Sequence, residues 1–154
     1  MTVSLDRTDI RLIHALHADA RLSVTALGER INLSPNATAE RMRRLQRDGV
    51  ITGFSLRLDH AALGLGLIAF VEVKLERTDR DVFDAFAAAV RSVDGIEECH
   101  MVAGGFDYLL KTRHRDMTNY RAFLAEALAA LPGVRETRTY VVMEEVVVRG
   151  ALPK

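Results

Sequence analysis

Apolar residues recur at helical spacing near the start of the chain. Ile10, Ile13 and Leu16 share one face of a first predicted helix. Asp6 is placed to cap this helix, and Asp9, three residues on, completes a capping-box pattern. The pattern therefore predicts an amphipathic helix with a defined first turn.

Two further helices follow at close spacing. The second is expected to begin after Ser23 and to end at Asn32, a residue type that tolerates the left-handed conformation. Ser34 and Pro35 are an N-cap and a first helical residue, and Gly49 stops the third helix. Two short helices joined by a very short turn predict a helix-turn-helix.

Two segments with different patterns follow the third helix. Residues 50–58 are interpreted as a short β-hairpin, or wing, that turns near Thr52 and Gly53. Residues 59–66 contain two glycines and no clear period, which predicts a hinge between domains.

The rest of the chain alternates strand and helix patterns. Thr78 is expected to cap the first helix of this part, and Gly95 to end it. The order strand, helix, strand, strand, helix, strand is that of a ferredoxin-like βαββαβ unit, so the predicted class is α+β. The predicted elements span 67–75, 78–93, 96–102, 106–112, 117–131 and 134–143. The predicted domains are 1–58 and 67–154, with 59–66 between them.

Composition excludes several classes of protein. Of 154 residues, 49% are hydrophobic and 27% charged, a balance typical of a chain with a buried core. The longest stretch without a charge or histidine, residues 61–71, is too short for a membrane span of about 20 residues. Asp6 interrupts the place where a secretory signal is apolar. With a single cysteine, these features predict a cytoplasmic protein without a membrane segment or intrachain disulfide.

The charges are unevenly distributed although they sum to zero. Residues 1–60 carry nine basic and seven acidic side chains, and four arginines fall within seven residues of the third predicted helix. A helix-turn-helix reads double-stranded DNA through the N-terminal part of its second helix, while basic groups hold phosphates. The alternative is a solvated helix whose arginines serve solubility. The candidate DNA-binding residues are Ser34, Asn36, Ala37, Glu40, Arg41, Arg43, Arg44 and Arg47.

Roles within that set follow from side-chain chemistry. Asn36 can read adenine and Glu40 can accept from cytosine. Arg43, Arg44 and Arg47 are expected to contact phosphates, so Arg44→Ala should lower the salt dependence of binding.

The segment Gly104 to Tyr108 lies between two predicted strands. Exposed glycine N–H groups can receive a carboxylate, and Asp107 can hold an ammonium group, so the loop is a candidate zwitterion site. The alternative is an ordinary glycine turn stabilised by an aspartate, which the residues alone favour.

Five motifs occur together in order: Leu5-Asp-x-x-Asp9, Leu33-Ser-Pro35, Arg41-x-x-Arg-Leu45, Gly49-x-Ile51-x-Gly53 and Gly104-x-Phe-Asp-Tyr108. With them, residues 5 to about 149 resemble the Lrp/AsnC family of transcription regulators, in particular its leucine-responsive subgroup. The resemblance implies a winged helix-turn-helix that binds DNA and a ferredoxin-like domain that dimerises, assembles further, for example to an octamer, and binds an amino acid.

The resemblance also implies an effector pocket at a subunit junction, for leucine, proline or another amino acid. Gly105 departs from the aspartate usual in the leucine-responsive members. No catalytic residue, metal or other cofactor is expected. The implied pocket residues are Met101, Val102, Gly104, Gly105, Phe106, Asp107, Tyr108, Thr137, Thr139 and Val141.

The expected function is an amino-acid-responsive, sequence-specific transcription regulator rather than an enzyme. One alternative is an effector-independent architectural DNA-binding protein. Sirohaem decarboxylases share the two-domain architecture, so an enzyme of that kind is a second alternative. Cys99 is interpreted as a structural thiol, because a neighbouring strand residue, His100, points to the opposite face.

Overall fold

The computed structural model describes residues 3–148 and 152, and these divide into two compact units. The described residues of Met1–Arg57 form the first unit together with those of Val148–Lys154. Leu58–Val147 form the second. The sequence interpretation placed the end of the chain in the second domain. The last strand ends at Val141, and the Val142 amide still donates to the Ile68 carbonyl of the sheet.

Three helices build the first unit: α1 (Arg7–Ala18), α2 (Val24–Ile31) and α3 (Pro35–Arg47). Each has the predicted N-cap. The Ser23 and Ser34 hydroxyls accept from the Ala26 and Ala37 amides, and Asp6 and Asp9 form the capping box at α1. Asn32 ends α2 with φ 59°, the left-handed conformation expected of it.

The first unit packs its helices around a small apolar core and one tight helix contact. Leu12, Leu27 and Leu45 are fully buried in this core, one from each helix. Gly28 lies where α2 approaches the turn and α3. A Cβ on Gly28 would lie 2.7 Å from the Leu33 carbonyl oxygen and 2.9 Å from Thr38 Oγ1. The angle between α2 and α3 therefore requires glycine at this position.

The predicted hairpin over residues 50–58 is absent: no strand is formed there. The Val50 and Ile51 amides both donate to the Leu45 carbonyl and so complete the end of α3. The remaining residues of the segment are exposed. A hairpin of two strands has little stability without a third strand or a helix to cover it, and neither packs on this segment within its unit.

The second unit is a four-stranded antiparallel sheet with helices on one face. Its strands lie in the order β2-β3-β1-β4, the order of the predicted ferredoxin-like fold. The elements are β1 (Leu67–Leu75), α4 (Arg80–Val90), β2 (Ile96–Met101), β3 (Tyr108–His114), α5 (Met117–Phe123) and β4 (Val134–Val141).

Element bounds in the second unit differ from the prediction at several ends; for example, β3 spans Tyr108–His114 and not 106–112. Asp79, not Thr78, caps α4, because its carboxylate accepts from the Val82 amide at 3.1 Å. The second helix is α-helical only to Phe123 and continues as a π-helical turn over Leu124–Leu128. The long predicted helix is thus formed of two segments with different hydrogen bonding.

Strand alternation separates an apolar from a polar sheet face. Val71 and Val73 of β1 point into the core with Phe86 of α4 and Leu110 of β3. Glu72 lies on the opposite face of the sheet. The core therefore lies between the sheet and its helices. No helix in the described part of the chain is both long and apolar enough to cross a membrane.

Candidate functional site

Helix α3 presents one continuous polar face to solvent. Asn36, Glu40, Arg43 and Arg47 follow one another at intervals of three and four residues, and all four are exposed. Ser34 and Ala37 are also exposed at the start of α3, where the Ser34 hydroxyl is engaged in capping. This face has amide, carboxylate and guanidinium groups in the part of a helix that enters a DNA groove.

The two outward arginines are held only weakly. Arg43 Nη1 donates to Glu40 Oε2 at 3.0 Å, but both side chains are about two-thirds exposed (68% and 65%). Arg47 Nε is 3.9 Å from Asp48 Oδ1. Exposed pairs of this kind are screened by water and contribute little, so both guanidinium groups remain accessible to a polyanion.

The other two arginines point back toward α1. Arg44 Nη2 lies 2.6 Å from both carboxylate oxygens of Asp9. Arg41 Nη1 donates to Asp9 Oδ1 at 2.8 Å and to Asp6 Oδ2 at 2.6 Å. Asp9 is completely buried, whereas the two arginine side chains are 30% and 33% exposed. These four residues are called the Asp9 cluster below.

The Asp9 carboxylate is ionised in spite of its burial. Burial raises its pKa, but hydrogen bonds from Arg44, the Asp6 amide and Arg41 outweigh that effect and hold the pKa below its ordinary value. The hydrogen bond from Arg41 likewise lowers the pKa of Asp6. The buried charge is therefore fully paired, as a stable buried ion must be.

Sequence reasoning recognised Asp6 and Asp9 as helix caps but not as partners of the α3 arginines. The two aspartates and the two arginines are 32 to 35 residues apart, so local pattern does not connect them. The available signal was the position of Asp9: on a helix whose inner face is Leu12 and Leu16, a carboxylate one turn earlier needs a cation.

The Gly104–Tyr108 loop joins β2 to β3 in the second unit. Gly104 and Gly105 are exposed, and a Cβ on either would meet nothing within 4 Å. Phe106 is half-buried and Tyr108 is buried against α4. The loop is therefore exposed at its two glycines and held against α4 at Tyr108.

Asp107 already has a structural partner. Its Oδ2 accepts from the Leu75 amide at 2.8 Å, beside the irregularity in β1 at Lys74 and Leu75. Its own amide donates to the Val73 carbonyl at 3.0 Å. One carboxylate oxygen therefore stabilises the loop.

The predicted pocket residues do not form one cluster within a single chain. Met101 pairs with Tyr108, Tyr108 with Val73, and Val73 with Thr137, which places Met101 and Thr137 at opposite edges of the sheet. Three strand spacings of about 4.8 Å separate them, roughly 14 Å in all. Val102 lies with Met101 at the β2 end, whereas Thr139 and Val141 lie on β4. The Thr139 hydroxyl is hydrogen-bonded to that of Tyr120.

A polar cleft of about 140 Å³ lies beside the loop, on the sheet face away from the helices. Glu72 pairs with Arg138 across β1 and β4, and Lys74 with Glu136, so acids and bases alternate in it. Gly105 and Phe106 complete the lining. The sequence interpretation did not include these four charged residues.

In the part of the chain that the structure describes, neither Cys99 nor a group of metal-ligating side chains forms a second candidate site. Burial raises the pKa of the half-buried Cys99 thiol, which disfavours the reactive thiolate. Within residues 3–148 and 152, no group of three or more histidine, cysteine, aspartate or glutamate side chains is arranged to hold a metal ion.

A helix-turn-helix with an exposed polar helix face, followed by a ferredoxin-like unit, is the arrangement expected of a DNA-binding regulator with a separate ligand domain. The AsnC-type helix-turn-helix domain matches residues 5–46, and the Lrp/AsnC ligand binding domain matches residues 68–152. The chain belongs to the Lrp/AsnC family, the amino-acid-responsive transcription regulators.

Individual relatives agree with this assignment. The leucine-responsive regulatory protein of Salmonella typhimurium is 51% identical over 142 residues, covering 92% of this chain and 87% of that protein. The same protein from Escherichia coli K12 is 50% identical over the same coverage. A transcriptional regulator of Neisseria meningitidis, solved as a complex with L-Met, has 31% identity and a TM-score of 0.90, covering 97% of both chains.

Proposed function

We propose that this chain binds double-stranded DNA through α3 and that an amino acid bound at the Gly104–Tyr108 loop controls it. The observation that carries the DNA-binding part is the exposed face of Asn36, Glu40, Arg43 and Arg47. The amide and carboxylate are suited to base edges, and the two exposed guanidinium groups to phosphates. We infer from this role that the chain acts beside the DNA, in the cytoplasm.

The amino-acid part rests on the open loop and on relatives. The exposed Gly104 and Gly105 leave space for a small zwitterion, and the neighbouring cleft carries both signs of charge. The names of the relatives report response to leucine, and one solved neighbour holds L-Met. Leucine and methionine are therefore the first effectors to test, and proline follows as an expectation from the family resemblance.

Self-association is part of the same proposal. Because Met101 and Thr137 lie at opposite sheet edges, an effector pocket that uses both needs a second copy of the chain. Phe54, Leu56 and Leu58 are exposed at alternate positions, and the consecutive residues Val146, Val147 and Val148 are exposed farther on. Exposed apolar segments of this kind mark interaction surfaces. We infer a homodimer that assembles further, with an octamer as the family-based expectation.

The test is a thermal-shift screen of the full chain against the standard amino acids. A ligand at about 100 times its dissociation constant stabilises the folded state by about 2.7 kcal/mol, so one amino acid or a related group should raise the melting temperature. Gly105→Val should abolish that shift without unfolding the protein, because the position is open and does not have a positive φ.

Gly53→Val is the matched control, since Gly53 is equally open and lies in the other unit. Its melting temperature should respond to the amino acid as the parent chain does. A screen without any shift would contradict the effector assignment and favour an architectural DNA-binding protein. A shift that survives Gly105→Val would place the effector elsewhere. DNA affinity with and without the amino acid then tests whether the two functions are coupled.

A further inference from the structure

In the Asp9 cluster, one nitrogen of each arginine, Arg41 Nη1 and Arg44 Nη2, is engaged by a carboxylate. Arg44 directs one nitrogen at both Asp9 oxygens, and Arg41 bridges Asp9 and Asp6. Asp9 Oδ2 also accepts from the Asp6 amide at 3.0 Å. The buried Asp9 carboxylate therefore holds both guanidinium groups toward α1.

Removing either arginine from Asp9 has a cost that an exposed pair does not have. A completely buried carboxylate that is deprived of its cation is left without solvent or counter-charge. Arg43 has no such constraint, because its partner Glu40 is as exposed as Arg43 itself. The four arginines of α3 thus fall into two pairs with different availability.

We propose that Asp9 is a positioning residue of the DNA interface: its carboxylate holds Arg41 and Arg44 against α1, so that Arg43 and Arg47 alone contact phosphates from α3. The pairing also sets the rotation of α3, because Thr38 and Leu45 are buried on the side from which Arg41 and Arg44 reach Asp9. That rotation directs Asn36, Glu40, Arg43 and Arg47 outward. This inference rests on the proposed DNA-binding function.

The salt dependence of DNA binding separates positioning from phosphate binding. Removal of one arginine that neutralises a phosphate reduces the slope of log K against log salt by about 0.9. With a random-sequence DNA duplex as the probe, Arg43→Gln and Arg47→Gln should each reduce the slope per bound chain by about that amount. Arg44→Gln should leave the slope unchanged, although affinity falls because α3 is less well held.

Asp9→Asn gives the opposite expectation. The variant removes the charge that retains Arg44, whereas Arg41 keeps its ion pair with Asp6. Arg44 then becomes available to a phosphate, so the slope should become steeper by about 0.9. Asp19→Asn is the matched control: it makes the same charge change at the exposed C-terminal end of α1, and its slope should equal that of the parent chain.

The outcomes are distinguishable. A parent chain that does not bind the duplex overturns the proposed function and this inference with it. If the parent binds and Arg44→Gln reduces the slope as Arg43→Gln does, Arg44 is a phosphate ligand and the inference is wrong while the proposed function stands. An unchanged slope in Arg43→Gln and Arg47→Gln also overturns it. Should Asp9→Asn fail to fold, the comparison of Arg44→Gln with Arg43→Gln decides the question.

Discussion

The two units bury polar groups in different ways. The first encloses an ionised carboxylate, Asp9, and matches it with two arginines from a neighbouring helix. Among the described residues of the second unit, no charged side chain lies in the apolar core. The buried polar side chains there are Thr112 and His114. The small helical unit thus combines a modest apolar core with an ion network, whereas the sheet unit relies on apolar packing. In the proposed DNA interface, this network holds Arg41 and Arg44 against α1 and leaves Arg43 and Arg47 exposed.

The largest expected effect tests whether the sheet unit depends on its apolar core. Phe86 is completely buried, and its ring centroid lies 4.4 Å from that of Tyr108. Phe86→Ala should destabilise the second unit by about 3–5 kcal/mol, because apolar burial decreases and a cavity is left behind. Denaturant titration followed by circular dichroism measures the change in the free energy of unfolding.

Phe54→Ala is the control for that substitution, since Phe54 is 52% exposed in the first unit. Its effect on the monomeric chain should stay within about 0.5 kcal/mol. Equal destabilisation in the two variants would refute the view that the sheet unit depends on its core.

A smaller effect is expected at the tight contact of the first unit. Gly28→Ala places a methyl group 2.7 Å from the backbone oxygen of Leu33, so α2 and α3 must move apart. Overpacking of this kind costs about 1–3 kcal/mol, and DNA affinity should fall with it because α3 is reoriented. Gly53→Ala adds the same methyl group in open space and should change neither quantity. Unchanged DNA affinity in a destabilised Gly28→Ala chain would show that α3 does not depend on this contact.

The smallest effect concerns acid sensitivity in the second unit. His114 is buried beside Tyr120 and Phe123, and burial lowers its pKa despite an opposing hydrogen bond with Asn119. The unfolded chain therefore binds a proton more readily than the folded one, and stability falls as pH drops below about 6.5. The slope contributed by one such group is at most about 1.4 kcal/mol per pH unit.

Melting temperatures measured between neutral and mildly acidic pH test this expectation. His114→Gln should flatten the pH dependence, because the titrating ring is gone. His100→Gln removes an exposed imidazole of the same sheet and should retain it. A His114→Gln chain with the parent's pH dependence would mean that other groups govern acid sensitivity.

The features that the sequence predicted best are those that depend on residues close together in the chain. The caps Ser23 and Ser34, the left-handed Asn32 and the strand Leu67–Leu75 all follow from local chemistry, and the structure confirms them. The prediction of a hairpin over 50–58 was wrong. Its alternation of apolar and polar residues is a local pattern, whereas a stable strand pair needs a third strand or a helix to cover it. The Asp9 cluster was missed for the related reason that a buried ion pair depends on which helices meet.

The assignment of contact roles to individual residues stays a prediction. The motif residues of the loop were recognised through the family, but the strand order, which separates Met101 from Thr137, follows only from the assembled sheet. The charged cleft of Glu72, Lys74, Glu136 and Arg138 arises from cross-strand register, which a linear pattern does not display.

The strand order β2-β3-β1-β4, which separates Met101 from Thr137, also links effector affinity to the concentration of the protein. With the proposed pocket shared between copies, effector binding and self-association are linked, so each strengthens the other by the same factor. The apparent affinity for the amino acid then rises with the abundance of the protein itself. A cell that makes more of this chain would thereby respond to a lower level of nutrient, without any change in the sequence of the pocket.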